Sequence, residues 1–113
     1  MNTGMLPATK IAGLTVTRLI IGGNPFSGFS HQGSERDEAM LNYSTTERLK
    51  ETLRRAEAAG INTVIMRSDL YVHRILREYY NEGGTLQWIA QVGADSGLDT
   101  MIRALDETVA AGA

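Results

Sequence analysis

Apolar residues along the chain follow two different periods, one typical of strands and one typical of helices. Short segments rich in apolar residues occupy 19–22, 61–66 and 86–92, and segments of this kind indicate strands buried on both faces. Before the second of these segments, between the second and the third, and again after the third, apolar residues recur every three or four positions, which predicts amphipathic helices. This alternation of strands and helices predicts an α/β fold.

Three helices are predicted from these periodic segments and from their end signals. The first begins near Ser44, which has Glu47 at capping-box spacing, and ends before Gly60. The second ends at the glycine pair 83–84, and the third runs to the end of the chain. The apolar side of the second helix comprises Val72, Ile75, Leu76, Tyr79 and Tyr80. That of the third helix comprises Leu98, Met101, Ile102, Leu105 and Val109.

The first forty residues combine a predicted hairpin with a predicted loop. Residues 10–18 favour a β-hairpin that turns at Gly13, and we expect 1–9 to be a flexible lead-in to a single domain over 10–113. Residues 23–43 show little periodicity and many turn-forming residues, so we predict an irregular loop there. The expected order is a hairpin followed by three βα units, which requires a parallel sheet with crossover helices.

Composition and charge exclude several classes of function. The chain has 113 residues, a formal net charge of -2 and no cysteine. A weakly acidic chain has no basic field for nucleic acid, and the lack of cysteine excludes disulfides, thiolate metal sites and a cysteine nucleophile. No apolar run approaches the roughly 18 residues that would predict a membrane span. We therefore expect a cytoplasmic protein that binds neither nucleic acid nor membrane.

The glycine-rich segment after the first strand does not fit a phosphate-binding loop. In "RLIIGGNPFSGFSHQG", Pro25 follows the glycine pair, and no predicted helix begins directly after it. Phosphate loops need a helix N-terminus at that point and carry a different glycine spacing. The segment is better interpreted as a strand-to-helix loop that forms part of a pocket wall.

Three segments taken in order resemble the aldo-keto reductases. "KIAGLTVTRLIIGGNPFSG" is similar to that family's N-terminal hairpin and first strand, and "LKETLRRAEAAGINTVIMRSDLY" to its first helix and second strand. "DLYVHRILREYYNEGGTLQWIAQVG" is similar to its second helix and third strand. The resemblance covers roughly residues 10–112 and implies the first part of a (β/α)₈ barrel of the TIM type.

The same resemblance implies that the reductase machinery is largely replaced. The family's catalytic tyrosine matches Tyr71, but its aspartate position falls on Met66, or on Ile65 if a bulge intervenes, and its lysine position falls on Gln91. The family's histidine and its nicotinamide phosphate sites belong to later strands. We therefore expect no NADPH reductase activity, and the sequence assigns no cofactor.

Candidate site residues are those expected at the carboxyl ends of the strands, where barrel proteins place their chemistry. Tyr71 and His31 are the catalytic candidates. Arg67 could hold a small anionic molecule through its guanidinium group. The expected substrate-binding residues are Asn24, Phe26, Arg67, Asp69 and Gln91.

Two alternatives to a small-molecule pocket remain open at this stage. The first is a metal-dependent barrel enzyme that uses His31, Asp69 and His73, the last two of which have i, i+4 spacing. The second is a non-catalytic fragment that associates with a partner or with itself. Three strands cannot close a barrel, which takes about 250 residues, so one apolar face of the sheet would lack cover. That face requires either the missing part of a barrel or a homo-oligomer.

Overall fold

The chain forms a mixed α/β structure with one antiparallel hairpin and one parallel sheet. The computed structural model describes residues 6–23, 32–92 and 97–113. Its elements are β1 (Ala8–Ile11), β2 (Leu14–Thr17), β3 (Ile21–Gly22), α1 (Ser34–Tyr43), α2 (Thr46–Ala58), β4 (Thr63–Arg67), α3 (Leu70–Asn81), β5 (Gln87–Gln91) and α4 (Leu98–Ala110). None of the described helices is both long enough and apolar enough to cross a membrane.

The predicted hairpin is confirmed, with its turn at Ala12 and Gly13. β1 and β2 pair antiparallel, and the two turn residues have φ values of 48° and 82°. Positive φ at both central positions is the geometry of a type I′ turn, whose twist matches that of the flanking strands. The hairpin is joined to the larger sheet by Asn62, whose side chain accepts from Thr17 N (3.0 Å) and donates to Thr15 O (2.9 Å).

The predicted parallel sheet is also confirmed, in the order β3–β4–β5. Ile21 pairs with Val64, and β4 runs in register with β5 from Thr63 opposite Gln87 to Arg67 opposite Gln91. These three strands form an open sheet in the described residues. The closed barrel therefore stays a prediction.

Helices α2 and α3 cover only one face of this sheet. The core on that face contains Leu49, Leu53, Val64, Met66, Val72, Ile75, Leu76, Tyr79, Leu86 and Trp88. Because successive strand residues point to opposite faces, Ile65 and Ile89 lie on the other side, where they are 38% and 37% exposed. In the part of the chain that the structure describes, no helix covers this face, which is called the uncovered face below, as the strand composition predicts.

Tyr79 ties the end of α3 to α2 and to the start of β5. Its side chain is buried, its hydroxyl donates to the Glu57 carboxylate, and it accepts from the backbone N–H groups of Thr85 and Leu86, both at 3.1 Å. Burial raises the pKa of Tyr79 to about 12. A Cβ at Gly84 would lie 2.2 Å from the tyrosine ring, so this close approach requires glycine.

Helix α1 corrects the prediction of an irregular loop over 23–43. The helix occupies Ser34–Tyr43 but buries no side chain, so it leaves no apolar stripe in the sequence. The cap of α2 also differs from the prediction. Thr45, not Ser44, is the N-cap and accepts from Arg48 N at 3.3 Å.

Helix α4 buries few of its side chains against the rest of the protein. Thr108 is buried, Met101 is half-buried, and Ala111, directly after the helix, packs against the core. Leu98 and Val109 are each 67% exposed, and Ile102 and Leu105 are 48% and 44% exposed. The sequence periodicity correctly predicts this helix, but four of the five residues of the predicted apolar side, all except Met101, are exposed.

Replacing a core leucine should destabilise the protein far more than replacing an α4 leucine. Leu53 is completely buried, so Leu53→Ala removes core contacts and leaves a cavity that should cost about 2–5 kcal/mol of unfolding free energy. Leu98→Ala makes the same chemical change at an exposed position and should cost about 0.5 kcal/mol or less. Urea denaturation of both variants would measure the difference, and equal costs would contradict the described core.

Candidate functional site

The carboxyl ends of β4 and β5 bring two of the predicted binding residues together. Arg67 and Gln91 are the last residues of these strands and are partners in the parallel register. Both are exposed, and alternation places them on the same face as Ile65 and Ile89. The sheet therefore presents a guanidinium and a carboxamide side by side above an apolar pair.

Asp69 lies at this edge but has a structural role. It is the N-cap of α3, and its carboxylate accepts from Val72 N at 2.8 Å. This bond satisfies one of the N–H groups that have no partner in the first helical turn. One carboxylate oxygen is thus committed to the helix, which reduces the capacity of Asp69 to bind a ligand.

Tyr71 is the second residue of α3 and is 42% exposed. Acid catalysis by a tyrosine needs a neighbouring group that eases loss of its proton. The positions that supply such a group in the resembling family are Met66, which is buried at 3% exposure, and Gln91, and neither side chain titrates. Tyr71 is therefore present at the edge without the partners that would activate it there.

Three predicted residues, Asn24, Phe26 and His31, lie outside the described residues. They belong to the segment that follows β3 in the chain. Their predicted roles in binding and catalysis stay predictions.

A chain of hydroxyl and imidazole groups, which the sequence did not reveal, lies behind the same edge. Ser68 Oγ is 2.7 Å from His73 Nε2 and 2.5 Å from Thr108 Oγ1, and Thr108 donates to Ala104 O at 2.6 Å. His73 also packs edge-on against Trp88, with 5.5 Å between ring centres. Ser68 and Thr108 are forty positions apart, and neither occupies a recognisable motif, so only the fold brings them together.

The direction of these hydrogen bonds argues against a serine nucleophile. A carbonyl oxygen can only accept, so the Thr108 hydroxyl donates its proton to Ala104 O. The same hydroxyl must therefore accept the hydrogen bond from Ser68 Oγ. Ser68 then accepts from His73 Nε2–H. A general base would have to accept the serine proton instead. In this arrangement Ser68, His73 and Thr108 form a hydrogen-bonded link between α3 and α4, which is called the clamp below.

The described residues do not assemble the alternative metal site. No group of three or more histidine, cysteine, aspartate or glutamate side chains in 6–23, 32–92 and 97–113 could hold a metal ion. Asp69 caps α3 and His73 Nε2 bonds to Ser68. The third predicted ligand, His31, lies outside these ranges.

Comparisons with known proteins give no relative for this chain. No protein-family model matches it, no curated protein matches it, and no solved structure matches it. The resemblance to aldo-keto reductases therefore rests on the sequence segments alone.

The role of Asp69 can be tested with two substitutions that differ in capping ability. Asp69→Ala removes the cap and should lower the unfolding free energy by about 1 kcal/mol, because Val72 N–H loses its partner. Asp69→Asn keeps a capping oxygen and should stay close to wild type. Thermal or urea denaturation would measure both. If Asp69→Asn were as unstable as Asp69→Ala, the capping role would be wrong.

Proposed function

We propose that this chain is part of an aldo-keto reductase-like barrel that binds a small anionic molecule at the carboxyl edge of its sheet. The observation that carries the proposal is the register of Arg67 and Gln91, which places both side chains on the uncovered face. A guanidinium group binds carboxylate or phosphate through two parallel hydrogen bonds, and a carboxamide can donate a third. Ile65 and Ile89 would provide an apolar floor beneath the ligand.

The proposal is one of binding and not of nicotinamide-dependent reduction. Neither Met66 nor Ile65 can titrate, and Gln91 cannot replace a lysine as a charged partner of Tyr71. These residues do not fit the donor set that the reductase reaction requires. We therefore derive no hydride-transfer step, and we expect a cytoplasmic protein whose cofactor, if it uses one, is unassigned.

Arg67 is the residue whose substitution tests this proposal. Titration with malonate, followed by the amide NMR signals of residues 67–69 and 91–92, should show saturable binding. Arg67→Gln should weaken that binding by about tenfold or more, since hydrogen bonds to a charged group contribute about 1.5–3 kcal/mol. Arg67→Lys should fall between the two, because lysine keeps the charge but loses the planar pair of donors.

The matched control is Arg74→Gln, which removes the same charge from α3 and should leave malonate affinity unchanged. Arg74 is paired with Glu78 and is not at the strand ends. Titration with NADPH should produce no saturable change at the same residues. Equal malonate affinity in wild type and Arg67→Gln would contradict the site, and saturable NADPH binding would contradict the loss of reductase function.

A second candidate function, self-association, is favoured by the exposure of Ile65 and Ile89. These residues are directly paired across β4 and β5, so they form one continuous apolar strip on the uncovered face. Parallel sheets are generally covered on both faces, and a second copy could supply that cover.

Light scattering after gel filtration would test self-association directly. Wild type should have at least twice the mass of one chain, and the double change Ile65→Lys and Ile89→Lys should yield the single-chain mass because it introduces charges into the interface. Leu19→Lys, at a residue that is 60% exposed outside the strands, should not change the mass. A wild-type chain that stays monomeric at high concentration would rule out this candidate.

A further inference from the structure

A groove between α3 and α4 lies on the helix-covered side of the sheet, away from the edge discussed above. Its volume is about 330 Å³, and it is lined by His73, Arg77, Tyr80, Asn81, Ala110 and Ala111. The groove residues on the α4 side, Ala110 and Ala111, have small side chains. This volume falls within the range of small-molecule sites, roughly 300–1,000 Å³.

One side of the groove carries only neutral or cationic polar groups. His73, Arg77 and Asn81 follow one another at four-residue intervals along α3, and such residues share one side of a helix. None of the six lining residues is acidic. Arg77 forms no ion pair with the other described residues, whereas Arg74 on the same helix is paired with Glu78 at 2.9 Å.

The clamp behind the sheet edge leaves one imidazole nitrogen of His73 for the groove. Nε2 is engaged by Ser68 at 2.7 Å, and the hydrogen-bond direction in the clamp makes it a donor. Nδ1 has no partner among the described residues. When Nε2 carries the proton, Nδ1 is an acceptor, so it can accept a hydrogen bond from a hydroxyl or N–H group of a ligand.

We propose that this α3–α4 groove binds a small molecule through an anionic phosphate or carboxylate group. Arg77 is the principal contact, Asn81 adds a hydrogen bond to the anion from its carboxamide, and His73 Nδ1 accepts a hydrogen bond from a donor group elsewhere on the ligand. The groove has the volume of about ten water molecules, at about 30 Å³ each, so it accommodates more than an inorganic ion. The Tyr80 ring and the methyl groups of Ala110 and Ala111 provide the apolar wall for the remainder of the ligand.

This site is independent of the proposed function because it uses none of the same residues and lies on the opposite side of the sheet. Substitutions at Arg67 and Arg77 therefore test the two sites separately. Loss of either site would leave the other unaffected.

Titrations with inorganic phosphate, malonate and phenyl phosphate would test the groove. The amide signals of residues 73–81 and 110–112 should shift in a saturable manner, and phenyl phosphate should bind more tightly than phosphate because the apolar wall contacts its ring. A preference for phosphate over malonate, or the reverse, identifies the anionic group. Arg77→Gln should weaken binding at least tenfold.

Two matched controls separate a formed site from general charge attraction. Arg103→Gln removes the same charge from an exposed position on α4 outside the groove and should leave affinity unchanged. Ala110→Glu places a carboxylate in the groove and should abolish binding, whereas Ala58→Glu, the same change at the exposed last residue of α2, should not. Absence of saturable binding for all three probes, or equal effects within either control pair, would overturn the proposal.

Discussion

The crossover between β4 and β5 depends on the buried hydroxyl of Tyr79. This group donates to Glu57 on α2 and accepts from two backbone N–H groups at the entrance to β5, so three elements meet at one oxygen atom. The bond from Tyr79 and the N–H of Thr85 lower the pKa of Glu57, so the fold stabilises the ionised carboxylate. Without this hydroxyl, the buried N–H of Leu86 would lose its hydrogen-bond partner, which is costly away from water.

The position of the crossover determines which side chains reach each face of the sheet. Once α3 is fixed over β4 and β5, Val64 and Met66 must point into the core and Ile65 and Arg67 must point away from it. The proposed binding edge and the α3–α4 groove are therefore separated by the sheet itself. The alternation of side chains along β4 and β5 thus gives the sheet one face that packs against helices and one face that carries Ile65 and Arg67.

The fold could be predicted from the sequence wherever buried positions produce a periodic pattern of apolar residues. The hairpin turn at Gly13, the parallel strands and the apolar side of α3 all have local patterns, and all are present. Helix α1 could not be predicted because it buries no side chain, and the orientation of α4 could not be predicted because a stripe does not specify its partner. In both helices the local sequence pattern carries no information about which side chains pack against the rest of the protein.

The candidate site was only partly predictable, for a related reason. Arg67 and Gln91 follow apolar strands, and parallel pairing brings strand ends together, so their proximity follows from the pattern. Ser68 and Thr108 meet only because α4 returns to the sheet with its small side, which no local signal records.

The family's aspartate position corresponds either to Met66 or to Ile65, and neither residue can transfer a proton. Met66 lies in the core on the helix side, and Ile65 lies on the other face of the sheet. Under the proposed resemblance, either assignment places an apolar side chain at the position of the family's aspartate. The nearby polar groups Arg67 and Gln91 can orient a charged ligand, but a guanidinium remains protonated and a carboxamide does not titrate. This combination supports recognition of an anion at the edge in preference to proton transfer by these residues.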